Sequence, residues 1–302
     1  MRAYLTAICV LAGACGGGGG DDDGFLDPNA TELTFETGEF EIPVGDSFTC
    51  FYTDKHAPRE LSVHSATGSQ GVGGHHIIAY YADEERPVGH HPCSDEEMTN
   101  LHQLAGSAGD NNGEPVLGLP DDLALLVPEG KQFVLQAHYI NATDAPMTVN
   151  DSVTLLLMKP EDVRAYVNYF VTNDDTFEIP ATSNYSHTTY CTTQRDLDVI
   201  MTLGHMHEDG KQYTLEVVDG SNAVMDTLID NTWQPSYTSH PPVTYYTADQ
   251  PRHLPAGTKL RQTCEWDNTT DRTILFPREM CLSFMYYFPG DGDDIVCDMV
   301  EE

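Results

Sequence analysis

Apolar and polar residues alternate in short runs along nearly the whole chain, and Gly, Pro, Asn and Asp interrupt each run before a helix-length pattern builds. Runs at 33–42, 47–52, 76–81, 133–140, 153–158, 165–171, 211–218 and 282–288 have strand length and are rich in β-branched and aromatic residues. Thr31-Glu-Leu-Thr-Phe-Glu and Gln212-Tyr-Thr-Leu-Glu-Val put every second side chain on one face, as half-buried strands do. Residues 95–104 form the single modest helical candidate. Such a chain buries its apolar faces by packing sheet on sheet. The expected class is therefore all-β, with two tandem antiparallel sandwiches of jelly-roll-like type. A length of 302 residues suits two domains. A Pro-Glu-Asp turn within 159–162 separates the strand-rich halves, giving expected domains at 32–160 and 161–302 without an internal repeat.

The first residues carry an address. Met1-Arg2 followed by an apolar run to Ala14 reads as an export signal, and Ala12-Gly13-Ala14 before Cys15 resembles a lipobox. On this reading residues 1–14 are removed and Cys15 is lipidated. Residues 15–31, with five consecutive glycines and three consecutive aspartates, then form a flexible acidic tether. No other segment is long and apolar enough to cross a membrane. An exported lipoprotein on the periplasmic face or the cell surface is expected, the outer membrane being favoured. The charge balance, 14 Lys and Arg against 48 Asp and Glu, leaves a net −34 that repels nucleic acid and anionic lipid. Membrane contact is thus expected through the N-terminal lipid only, and a monomer is expected. Setting Cys9 and Cys15 aside leaves six cysteines with no Cys-x-x-Cys pair, so three disulfides are the default in an oxidising compartment.

The 13 histidines stand out beside so few other basic residues. His75-His76 follow Gly73-Gly74 and open an apolar run. His138 lies in Leu135-Gln-Ala-His-Tyr, and His205 and His207 flank Met206. Residues i and i+2 of a strand share a face, so both imidazoles of the His-x-His reach one ion. Adjacent histidines point oppositely unless the strand ends or twists, which the glycines allow. Taken singly, each signal is weak: a His-x-His also serves as a surface or hydrogen-bonded pair, and His138 alone reads as a core histidine. Imidazole suits zinc, copper, iron and nickel alike, whereas a thioether selects Cu(I). Met280, in Glu279-Met-Cys281, is a possible source of that sulfur, although a methionine beside an aromatic strand usually fills the core.

Together these pieces resemble the copper type II ascorbate-dependent monooxygenases, the family of dopamine β-monooxygenase and peptidylglycine α-hydroxylating monooxygenase. The matching segments come in family order: His75-His76, Leu135-Gln-x-His-Tyr, His205-x-His with Gly210-Lys211, Leu254-Pro-Ala-Gly-Thr-Lys-Leu through Cys264-Glu-Trp-Asp-Asn, and Glu279-Met-Cys with Tyr286-Tyr287. The resemblance covers residues from about 48 to 297. The resemblance implies two coppers per chain, an electron-transfer site at His75, His76 and His138 and a catalytic site at His205, His207 and Met280. It also implies the disulfides Cys50–Cys93, Cys191–Cys297 and Cys264–Cys281, which leave no thiol over. In the family, ascorbate supplies electrons and a substrate C–H bond becomes an alcohol, the other oxygen atom of O2 leaving as water.

The chain departs from the peptide-amidating members, which grip a substrate carboxylate through an arginine and a tyrosine. Leu203 and Phe284 occupy those positions and imply an apolar wall instead. The expected function is copper-dependent hydroxylation of a small organic substrate by O2 with ascorbate or another reductant. The rival is a copper-binding or copper-delivery lipoprotein on the same scaffold. A zinc hydrolase fits poorly, since the site offers a thioether and no evident carboxylate base. His56, His64, His102, His187, His240 and His253 lack partners at ligand spacing, and His90-His91 read as a solvated pair in a polar loop.

Overall fold

The computed structural model describes residues 29–94, 97, 100–108, 117–120, 122–238, 241–276, 278–290 and 294–301. The expected signal, the Cys15 lipidation site, nearly all of the tether and His240 lie outside the described residues. Within them the chain is all-β, with short 3-10 turns at Pro160–Asp162 and Pro235–Thr238. Two sequence expectations change. The run 33–42 is two strands, Glu32–Glu36 and Phe40–Ile42, separated where Gly38 takes a φ of +70°. The expected helix at 95–104 gives way, over its later part, to the strand Leu101–Ala108, which pairs with Gly74–Ala82. Sheet pairing outweighs a weak helical period there.

Three sheets carry the architecture. An extended sheet runs through Glu32–Glu36, Ser152–Met158, Leu61–Ser69 and Leu123–Val127, then into Ala165–Asp174, Cys281–Phe288, Leu197–His205 and Val243–Tyr245. The step between the two halves is a parallel pairing of Ala165 to Val167 with Leu123 to Leu125. A five-stranded sheet packs on its first half, in the order Gly89–Pro92, Gly45–His56, Gln132–Asn141, Gly74–Ala82, Leu101–Ala108. A four-stranded sheet of Ser183–Thr192, Lys259–Asn268, Gly210–Val218 and Val224–Thr232 packs on the second half.

Each sandwich has its own apolar filling. Ile77, Ala79, Phe133, Leu135, Ala137 and Tyr139 point from the five-stranded sheet into the first core. Leu197, Val199, Met285, Tyr287, Leu215 and Trp266 fill the second. The disulfides Cys50–Cys93, Cys191–Cys297 and Cys264–Cys281 form as the resemblance implies. The remaining side chains of these strands face outwards, and it is there that the histidines lie.

Candidate metal centre

Strand alternation places His76 and His138 on the outer face of the five-stranded sheet, because their neighbours Ile77, Ala137 and Tyr139 occupy the core. They are direct cross-strand partners. On regular alternation His75 would face inwards. The register shifts there: His138 opposes His76, but Tyr139 opposes Gly74, so His75 is the extra residue of a bulge. The bulge turns its imidazole towards its neighbour, and His75 Nδ1 lies 3.2 Å from His76 Nδ1. One nitrogen from each of His75, His76 and His138 lies within 4.8 Å of the other two. Gly74 is required for close packing, since a Cβ on it would lie 2.5 Å from the Gln70 Cβ.

The donor chemistry fits a metal. His138 donates its Nε2 proton to Asp46 Oδ1 at 2.6 Å, which fixes the lone pair on Nδ1. That Nδ1 is buried and has no hydrogen-bond partner. A buried imidazole nitrogen with nothing to bind costs free energy unless an ion takes it, and a carboxylate on the other nitrogen is the usual outer support of a histidine ligand. Burial lowers His75 to about 4 and drives His76 well below the ordinary value; neighbouring imidazoles add to both effects. Burial also lowers His138, against the pull of Asp46. All three imidazoles are therefore neutral at pH 7. Phe48 stacks on His138 with ring centroids 3.8 Å apart, covering its outer side.

A second bulge aims the other pair. Val199 opposes Tyr287 and Met201 opposes Tyr286, leaving Ile200 as the extra residue. Parity switches across it. Leu197 and Val199 point into the second core, while Met201, Leu203 and His205 share the outer face. His205 pairs with Leu282, so Met280 leads into the neighbouring strand two residues beyond the last register pair. The His205 and His207 rings stand 5.2 Å apart and nearly perpendicular. His207 donates from Nδ1 to the Arg278 carbonyl at 3.0 Å, leaving Nε2 free. Burial, then the neighbouring imidazoles, lower His205 to about 3.

Glu279 ties this loop together. Its carboxylate is fully buried and accepts the backbone N–H of His207 at 3.0 Å, that of Asp209 at 2.8 Å and the Trp266 indole N–H at 3.0 Å. Burial raises its pKa, while these donors oppose the rise. The two histidine groups also feel each other: His75 is destabilised as a cation by His207, and His76 by His205. The two histidine groups thus lie within electrostatic reach of each other.

The set-aside histidines have other partners. His56 lies 3.5 Å from Glu85, His64 reaches the Leu123 carbonyl, and His187 lies 3.3 Å from buried Asp174. His253 bonds Asp198 at 2.7 Å. His90 and His91 sit in a strand rather than a loop, and His91 pairs with buried Glu97 at 3.0 Å. His102 spans Asp83 and Asp294. Sequence reasoning missed Asp46 and the role of Glu279. Asp46 lies 92 positions from His138 and carries no local signal; Glu279 stands beside Met280 in Glu279-Met-Cys281.

Comparisons with known proteins bear on the second half. Residues 165–301 match the family model described as copper type II ascorbate-dependent monooxygenase, C-terminal domain. No curated protein matches the chain. Among solved structures, it is similar to PNGase F, a glycosylasparaginase from Flavobacterium meningosepticum, at 9% identity and a TM-score of 0.39, over 90% of this chain and 99% of that one. It is also similar to the infectious bursal disease virus Gx strain structure, at 11% identity and a TM-score of 0.22, over 87% and 73%. Neither likeness informs the site.

Proposed function

On the premise that residues 165–301 belong to the copper type II ascorbate-dependent monooxygenases, we propose that the chain is a copper monooxygenase. It hydroxylates a C–H bond of a small organic substrate, using O2 and a reductant such as ascorbate. The observation that carries this reading is the convergence of His75, His76 and His138 around an unpartnered nitrogen, opposite His205 and His207 of the matched domain. His75, His76 and His138 would hold one copper, and His205, His207 and Met280 the other. Bound there, copper supplies the one-electron chemistry that oxygen activation needs, the thioether favouring its reduced state.

The chain's own residues prepare those positions. Asp46 and the Arg278 carbonyl each accept a hydrogen bond from one imidazole N–H, which sets the tautomer and the aim of His138 and His207. Burial keeps His75, His76 and His205 unprotonated, so no proton competes with the metal. Glu279 holds the His207 loop against the start of the Met280 strand. Three disulfides fit an exported protein, and lipidation at Cys15 would tether it to the membrane surface.

Metal analysis should find two coppers per chain, and ascorbate-dependent oxygen uptake should rise with a hydroxylatable substrate. Met280→Ala should abolish turnover while retaining copper at the three-histidine site. One copper, zinc alone, or full activity in Met280→Ala overturns the assignment. Two coppers without oxygen uptake would favour the copper-delivery reading.

A further inference from the structure

The register of the second sandwich sets out its outer face row by row. Tyr245, Met201, Tyr286 and Tyr169 are consecutive cross-strand partners. Two residues along each strand, the next row is Val243, Leu203, Phe284 and Val171. Beyond it come His205, Leu282 and Asn173. The rows differ in burial. Met201, Tyr286 and Tyr169 are sealed within the core that the first half builds, and the Tyr169 and Tyr286 hydroxyls hydrogen-bond each other. The Val243–Leu203–Phe284–Val171 row is half-buried throughout, with Val243, Leu203 and Val171 at the rim of that core. It lies between the closed joint and the metal-type end.

The opposing face repeats this order. His76, Ile78 and Tyr80 share one face of Gly74–Ala82. His76 is within electrostatic reach of His205, and Tyr80 of Tyr169. Ile78, between them on that face and also half-buried, packs against the apolar cluster of Cys50, Tyr52, Tyr80 and Val134. Asp294 staples the joint: it accepts from the Tyr169 backbone N–H at 2.9 Å and from His102 at 3.3 Å.

We propose that this apolar row is the substrate floor, and that it selects an uncharged, hydrocarbon-rich molecule whose reacting carbon lies at the His205 end. The proposal rests on the monooxygenase reading and adds the substrate class. No cation belongs to either row. Arg278, the cation nearest Met280 in sequence, is 3.8 Å from Glu208 and turned to solvent. The carboxylates of Glu208 and Asp46 act on both His75 and His138. With a net charge of −34 behind them, they repel an anionic substrate. An ammonium group would have to leave water for a floor with no acceptor in it, which costs more than the distant carboxylates return.

The test compares three probes of one skeleton, butylbenzene, 4-phenylbutyrate and 4-phenylbutylammonium, by equilibrium dialysis against the copper-loaded full chain. Butylbenzene should bind at least ~10-fold more tightly than either ion, the discrimination expected of a site lacking a partner for charge. Leu203→Arg should erase that preference and raise 4-phenylbutyrate binding. Val243→Arg, at the rim of the first core on the terminal strand Val243–Tyr245 whose other two residues are exposed, should shift it the same way. Tighter binding of either ion by the native chain overturns the proposal, as does an unchanged order in a folded Val243→Arg variant. Because binding is read without turnover, missing oxygen uptake would count against the monooxygenase reading and leave the binding result to judge the floor.

Discussion

Glu279 shows most directly how one side chain organises the second site. A buried carboxylate that accepts two main-chain N–H groups and an indole N–H cannot be replaced by an amide without turning an acceptor into a donor. Glu279→Gln should therefore cost about 1–3 kcal/mol of stability by chemical denaturation. It should also weaken copper at His205, His207 and Met280 about 10–100-fold in a chelator competition, leaving the first site unchanged. Asp46→Asn should do the converse. Its loss removes the charge behind His138 Nε2 and should weaken only the three-histidine site, by a similar factor. Equal loss at both sites in either variant would mean a general structural defect. Neither role was legible beforehand. The sequence displays histidines as strong local signals, but a carboxylate that reaches them from a distant strand looks like any of 48 acidic residues.

Two bulges, at His75 and Ile200, decide which way the candidate ligands face. A strand changes sides by one residue, so removing the extra residue exchanges an entire face. Deleting Ile200 should drive Leu203 and His205 towards the second core, and the protein should fail to give a cooperative unfolding transition. Gly204 offers a milder test of the same strand. A Cβ there would lie 2.4 Å from the Tyr213 ring, so Gly204→Ala should cost about 1–3 kcal/mol through overpacking, read in urea. The His-x-His spacing made the nearness of His205 and His207 legible, although the strand ends at His205 and His207 lies in the loop that follows. The His75 bulge was half legible, through Gly73-Gly74. Ile200 sits in an ordinary apolar run and announces nothing, because its role arises from pairing with Cys281–Phe288.

Across the whole molecule, protonation opposes folding at the histidine faces and favours it at the joint. His75 falls from 6.5 to about 4, and His205 from 6.5 to about 3. Unfolded, they take up protons below pH 6.5 that the folded protein refuses, so their contribution is complete above 6.5 and declines as pH drops. Each adds a slope of about 1.4 kcal/mol per pH unit within its window. The melting temperature of metal-free protein should fall between pH 6.5 and 4, and a flat profile would refute the burial of these rings. His102 has the opposite sign: Asp294 and Asp83 raise it. Its contribution is full below 6.5 and fades as pH rises through the folded value, so His102→Ala should destabilise the protein more at pH 6 than at pH 9. The family match covers the second half, yet the first core takes in Tyr169, Met201 and Tyr286 from that half, so the two sandwiches share one packed joint.

The sequence by itself determined the all-β class, the residues able to bind metal and an even set of cysteines, because alternation, spacing and residue chemistry are local. Tertiary structure alone decided that the two histidine groups lie within electrostatic reach of each other, and that Asp46 and Glu279 stand behind them. It also set an apolar row between the joint and the histidines. These are products of register and of contacts across scores of residues, which a bulge of one residue can reverse and no local pattern records.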